Sequence, residues 1–190
     1  MSITGDRELF DRLDDAEGLW VGMLGRVDTD RLDEPSACAG WTVRDLIGHV
    51  NGGAHRYALL LSGAENVEHT RGLDYLEEDP VEVFWRYERE LRKTSTAADL
   101  DALVSHRAGP RSGWTLLIMR AMDLALHAKD LADSTSQQWL PSVELAKFLV
   151  ASCEGIIDEL RSKGMFDPAG TPLSQEPQDV LLAMAGRGAG

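Results

Sequence analysis

Apolar residues recur every three to four positions along most of the chain, which is the periodicity of amphipathic helices. In the first such stretch, Leu9, Leu13, Trp20 and Leu24 fall on one helical stripe. No stretch shows the sustained alternation of apolar and polar residues that is typical of strands. The sequence therefore predicts an all-α fold. The predicted helices cover residues 6–27, 42–62, 80–93, 114–132 and 141–164, with a short one over 178–185.

Local signals mark where these helices begin and end. Thr42 is followed three residues later by Asp45, which is a capping-box pattern. Asp79 and Pro80 provide an N-cap and a first-turn proline for the third helix, and Gly164 suits the position just past the fifth. The segments GAENVEHTRGLDYLEED and DLDALVSHRAGPRSGW have no helical periodicity and are predicted to be long loops.

Long helices joined by loops predict a four-helix bundle. We find no internal repeat and no sharp boundary in composition, so residues 1–190 are expected to form one domain. Its core is expected over about residues 5–165, followed by an extended tail over 166–190 whose last five residues are expected to be mobile. A chain of 190 residues can bury a core without disulfides or a structural metal.

The fourth predicted helix, within LLIMRAMDLALHAKDLA, carries an unusual arrangement of polar residues. At about 100° per residue, Arg120, Asp123, His127 and Asp130 fall within an arc of about 80°. Nearly every other residue of this helix is apolar, which is the reverse of the pattern on a surface helix. This helix is therefore predicted to lie in the middle of the bundle.

Asp123 and His127 are one turn apart and would need partners if the helix is buried. Such a pair can form an ion pair, or it can place an oxygen and a nitrogen on one divalent cation. His49, in GWTVRDLIGHVNGG, lies beside the apolar face of its own helix and is the best candidate for a third ligand. A satisfied core histidine or a solvent-facing one is the alternative for this position.

Composition and charge narrow the classes of partner. Hydrophobic residues make up 43% and charged residues 27%, values typical of globular proteins, and the net charge of −13 disfavours nucleic acid. The apolar runs are too short to span a bilayer, and the acidic start of the chain does not resemble a secretory signal, so we expect a cytoplasmic protein with no membrane partner. The two cysteines show no paired framework for a disulfide or a thiolate-rich zinc site.

The segments PSACAGWTVRDLIGHVNGGAHRYALLL and LLIMRAMDLALHAKDLA resemble the metal-binding domain of the mycothiol-dependent maleylpyruvate isomerase family, in the DinB-like superfamily. The resemblance covers about residues 5–135, and the closing PQDVLLAMAGR is similar to the end of short family members. It implies a DinB-like four-helix bundle that holds a divalent metal, usually Zn²⁺ with Ni²⁺ as an alternative. The implied metal ligands are His49, Asp123 and His127.

The sequence departs from the family at two residues and in the length of the chain. Asp123 stands where the isomerase has a longer Glu, and Lys129 stands where the family often has Trp. The isomerase also carries a second, C-terminal domain, and this chain is expected to end before such a domain. Membership therefore supports a metal site better than it supports maleylpyruvate as the substrate.

The resemblance implies a metal-dependent S-transferase or isomerase that uses a low-molecular-weight thiol such as mycothiol and a small electrophilic substrate. The 15 Arg and 4 Lys fit the high-GC bacteria that make this thiol. A non-catalytic binding or regulatory bundle is one alternative. A metal-free isomerase or cyclase that uses Asp123 or His127 for acid–base work is another. A homodimer is a further alternative for the assembly state.

Other polar residues near the candidate ligands receive weaker assignments. Arg120 can bind a carboxylate of the substrate or form a structural salt bridge. Asp45 can orient His49, although helix capping is favoured by its position. Asp130 and Lys129 are expected to be dispensable for metal binding, because neither is at an implied ligand position.

The remaining histidines and the cysteines are not assigned to the site. His55 is about 120° away from the face of His49 and is expected at the surface. His69 and His106 are placed in loops and receive the same assignment, unless a loop folds over the pocket. Cys38 and Cys153 are expected to serve packing rather than nucleophilic catalysis.

Overall fold

The computed structural model describes residues 3–76 and 78–187, and side chains from residue 7 onward. The predicted all-α class is confirmed. The sequence did not predict an antiparallel pair of two-residue strands in the second long loop, which is too short to give an alternating pattern, nor two short 3-10 helices, Thr29–Arg31 and Glu68–Gly72. The elements are α1 (Ile3–Leu24), α2 (Val43–Leu61), α3 (Pro80–Ala97), β1 (Leu103–Val104), β2 (Arg111–Ser112), α4 (Gly113–Thr135), α5 (Val143–Ser162) and α6 (Pro177–Met184).

Helix starts follow the predicted caps. At the start of α2, the Asp45 backbone N–H donates to Thr42 Oγ1 at 3.2 Å, and the Thr42 N–H donates to Asp45 Oδ2 at 2.9 Å. This reciprocal capping box occupies Asp45, which is exposed at the helix end and does not orient His49. At the start of α3, Asp79 accepts from the backbone N–H of Val81 at 2.8 Å.

Helix α4 lies at the centre of the molecule, as its sequence predicts. It packs against α1, α2 and α5, while α2 also packs against α3. Leu117, Leu124 and Leu131 of α4 are fully buried, together with Trp20 of α1. The two helices that carry the implied metal ligands, α2 and α4, are therefore neighbours in the core.

Although α4 is apolar around most of its circumference, none of the described helices combines the length and apolarity needed to cross a bilayer.

The segment after α5 folds back onto the bundle. Gly164 ends α5 with a φ of 73°, as predicted for a residue just past a helix. Helix α6 packs against α5 and buries Leu181 completely. The expectation of mobility from residue 186 is wrong for Arg187, which is half-buried and hydrogen-bonded to α4. Residues 188–190 lie outside the described part of the chain.

Candidate metal centre

Helices α2 and α4 bring His49, Asp123 and His127 together. The Asp123 Oδ1 atom lies 3.6 Å from His49 Nε2 and 3.4 Å from His127 Nε2, and the three ligand atoms are all within 4.8 Å of one another. Two ligands at about 2.1 Å from a tetrahedral zinc ion would be about 3.4 Å apart. The three side chains are half-buried. Their spacing therefore suits a small divalent cation.

Arg120 fixes the second oxygen of Asp123. Its Nη1 donates to Asp123 Oδ2 at 3.1 Å, while Nε donates to Glu88 Oε1 at 2.8 Å and Nη2 donates to the same oxygen. The Arg120 side chain is fully buried, so the structure gives the salt-bridge alternative and the substrate-binding expectation is not retained. A Cβ at Gly53 would lie 2.6 Å from Arg120 Nη1, so this glycine provides the room for the guanidinium.

Asp130 contacts the Nδ1 edge of the His127 ring, on the side away from Asp123, and Arg187 in turn binds Asp130. The His127 Nδ1 atom lies 2.8 Å from Asp130 Oδ2, and Arg187 donates through Nε and Nη2 to the two Asp130 oxygens, each at 2.8 Å. An ionised carboxylate only accepts, so this contact favours the tautomer with a proton on Nδ1 of His127, which would leave the lone pair of Nε2 for a cation. Asp130 is thus a positioning residue, which the i, i+3 spacing from His127 allows but does not by itself identify.

Burial and neighbouring charges shift the pKa values of Asp123, Asp130 and His49 in the direction that favours ionised carboxylates and a neutral His49 ring. Burial alone would raise the pKa of Asp123, but the neighbouring His49, His127 and Arg120 lower it below the ordinary range. Burial also opposes ionisation of Asp130, and the bonds from Arg187 and His127 still lower its pKa. Burial lowers the pKa of His49, which favours the neutral ring that a metal ligand requires.

Trp41 and Cys38 enclose the histidines. The Trp41 ring packs against His49 with centroids 4.9 Å apart and against His127 at 6.2 Å. The Cys38 Sγ donates to Asp130 Oδ2 at 3.4 Å and lies 3.9 Å from His127 Nδ1. Burial, and then the charge of Asp130, raise the pKa of Cys38 to about 12. Cys38 is therefore a protonated group packed against Asp130 and His127, and the fully buried Cys153 is likewise a packing residue.

The ligand set opens into a cavity of about 600 Å³. A second cavity of about 560 Å³ lies alongside it, and both are bordered by Trp41, His49, Arg56 and Arg71. Apolar side chains from several elements line the larger one, among them Leu60, Met119, Met122, Leu126 and Phe166. A cavity of this size can hold a small organic molecule next to the ligand set.

The other histidines differ from expectation at two positions. His106 is in a loop that does fold over the larger cavity, and burial, followed by the charges of Arg111 and Arg107, lowers its pKa to about 4. The surface assignment of His55 is wrong, because its half-buried ring stacks on Tyr87 with centroids 4.4 Å apart. His69 is exposed, as predicted.

The helix arrangement and this candidate centre define an all-α protein of the DinB-like class. The family model described as the mycothiol maleylpyruvate isomerase N-terminal domain matches residues 13–132. The chain belongs to this family, and the resemblance found in the sequence is confirmed.

Two kinds of relative extend the comparison. The chain is 27% identical to an uncharacterized protein of Mycobacterium tuberculosis, present in two strains, over 176 residues that cover 90% of this chain and 93% of the relative. The crystal structure of the mycothiol-dependent maleylpyruvate isomerase superposes with a TM-score of 0.63 at 19% identity, covering 88% of this chain and 77% of that one. A histidine-to-alanine mutant of that enzyme gives the same score at 18% identity. These structural similarities establish a shared fold.

Proposed function

We propose that the protein is a divalent-metal-dependent S-transferase or isomerase that uses a mycothiol-type thiol and a small electrophilic substrate. The observation that carries this proposal is the convergence of His49 Nε2, Asp123 Oδ1 and His127 Nε2 beside a cavity of about 600 Å³. Three protein ligands leave at least one position of a tetrahedral ion for an exogenous group, which is the arrangement of catalytic rather than structural zinc sites. Family membership supports a thiol as that group.

Two imidazole nitrogens and one carboxylate oxygen form a donor set that suits Zn²⁺, and Ni²⁺ as an alternative. When bound, such an ion lowers the pKa of a coordinated thiol from about 8.5, so that the thiolate nucleophile is available at neutral pH.

The surrounding residues prepare the site for this chemistry. Arg120 holds Asp123 Oδ2 and leaves Oδ1 directed at the two histidines. Asp130 holds the proton on His127 Nδ1, and the Trp41 ring covers both imidazoles. The apolar side chains around the larger cavity keep water away from a reactive thiolate and its electrophile.

The test combines elemental analysis of protein purified without an affinity tag with a thiol-consumption assay on the same sample. We expect close to one equivalent of zinc or nickel in the wild type, its loss in His49→Ala, and its retention in the control His69→Ala, which changes an exposed loop histidine. Metal-free wild type that also consumes no thiol would reject this function. It would favour a non-catalytic binding protein or a metal-free isomerase.

A further inference from the structure

Arg56 of α2 is a cation in an unusual setting. Within residues 3–76 and 78–187, every other arginine either has a carboxylate oxygen within 4.0 Å or is exposed. Arg56 is half-buried and has no such partner among these residues. A half-buried guanidinium with no carboxylate within 4.0 Å among these residues is unfavourable, so this position needs an explanation.

The Arg56 guanidinium is held in place by the backbone of its own helix. Its Nη2 donates to the carbonyl oxygen of His49 at 2.8 Å, two turns earlier. A Cβ at Gly52 would lie 2.6 Å from Arg56 Nη1, so glycine is needed there for the side chain to lie along the helix. The charge is thereby fixed next to the residue that provides the first metal ligand.

Arg56 also borders both cavities and keeps unused donors. Its only hydrogen bond within the described part of the chain is the one to His49, and a guanidinium has five N–H groups. Arg71 borders the same cavities, but its Nε is paired with Glu68 Oε2 at 2.6 Å. Burial lowers the pKa of Arg56, and the charge of Asp123 only partly offsets this effect. The free donors therefore face a space where a small molecule can enter.

We propose that Arg56 binds a carboxylate group of the electrophilic substrate and thereby determines specificity. This assignment rests on the proposed function, because it takes the ligand of the cavity to be the substrate of the thiol. The two oxygens of a planar carboxylate can each accept a hydrogen bond from the guanidinium group. The bound anion would also neutralise the half-buried charge of Arg56. Arg56 thus fixes the substrate beside the ligand set.

The experiment compares an anionic probe with a neutral one on protein made metal-free with EDTA and then freed of the chelator by gel filtration, because EDTA is itself a polycarboxylate that would compete for Arg56. Succinate, succinamide and inorganic phosphate are titrated by calorimetry into wild type, Arg56→Met, Arg56→Lys and the control Arg89→Met, which changes an exposed arginine of α3 without a salt bridge. We expect wild type and the control to bind succinate about tenfold more tightly than succinamide, as is typical for a charge-assisted hydrogen bond. Arg56→Met should lose this preference, and Arg56→Lys should keep part of it.

Equal affinity of wild type for succinate and succinamide would overturn the assignment, and so would a preference retained in Arg56→Met. Tighter binding of phosphate than of succinate would overturn the choice of a carboxylate. Because metal and thiol are absent from these titrations, zinc content and thiol consumption are measured separately on the same proteins. An Arg56-dependent succinate preference without zinc or thiol consumption would reject the proposed function alone.

Discussion

His127 Nδ1 lies 2.8 Å from Asp130 Oδ2, and this contact joins the candidate metal centre to the C-terminal segment of the chain. The same carboxylate accepts two hydrogen bonds from Arg187, which follows α6. Asp130 is 6% exposed, so its charge depends on these partners rather than on water. The orientation of one proposed ligand is therefore set by residues that are far apart in the sequence.

The Asp130→Ala variant should bind zinc about 10- to 100-fold more weakly than wild type, as is typical when the partner of a ligating histidine is lost. This prediction departs from the expectation, drawn from the sequence, that Asp130 is dispensable, although Asp130 remains outside the proposed ligand set. Competition with a chromophoric chelator measures the affinity, and Asp133→Ala, at an exposed position of the same helix, is the control. Identical zinc affinities for Asp130→Ala and wild type would show that Asp130 does not position His127.

The Gly53→Ala variant should be destabilised, because its new Cβ would lie 2.6 Å from Arg120 Nη1 in the fully buried salt bridge. We expect a loss of about 1–3 kcal/mol in the free energy of unfolding, typical of overpacking. Gly18→Ala is the matched control within α1, where an added Cβ meets no atom within 4 Å, and it should stabilise by about 0.5–1 kcal/mol. Chemical denaturation measures both, and equal effects would contradict the steric argument.

Glu17 should make the protein less stable as the pH rises from about 4.5 to 7. Burial, and then the charge of Glu88, raise the pKa of Glu17 to about 7 despite its bonds from Arg92. The folded state then holds a proton that the unfolded state has released, so this contribution is complete below the unfolded pKa and is lost as pH rises through the folded one. The corresponding free energy is at most about 3 kcal/mol.

Thermal unfolding at pH 4.5 and at pH 7 tests this assignment. The midpoint at pH 4.5 minus the midpoint at pH 7 should be smaller in Glu17→Gln than in wild type, because a neutral amide cannot release a proton. Glu8→Gln changes an exposed residue of the same helix and should leave the difference as it is in wild type. If Glu17→Gln and wild type respond to pH identically, Glu17 does not titrate in this range.

The sequence was sufficient to predict the all-α class because each long helix carries its own apolar face and recognisable end signals. Thr42, Asp79 and Gly164 occupy the predicted cap positions, and the apolar circumference of α4 correctly indicates a central helix. The fifth long helix packs on α4 and α1, and α6 packs on α5. Periodicity alone gives the lengths of helices but not such partners, which depend on the packing of the whole bundle.

The candidate site was predictable where its residues share one helix or one motif. Asp123 and His127 are one turn apart, and the motif around His49 completes the group. Arg56 and His106 were missed as cavity residues because their roles depend on how α2 and a distant loop face the same space. Arg187 was missed because an Ala- and Gly-rich end of the chain has no pattern that indicates docking.

The central claim is that His49, Asp123 and His127 bind a divalent cation. Its most direct test is the thermal unfolding midpoint of wild type and His49→Ala, each with and without EDTA. A metal bound only to the folded state raises the midpoint, so EDTA should lower it in wild type and hardly change it in His49→Ala. A wild-type midpoint that EDTA leaves unchanged, in protein that contains no metal by elemental analysis, would contradict the metal centre.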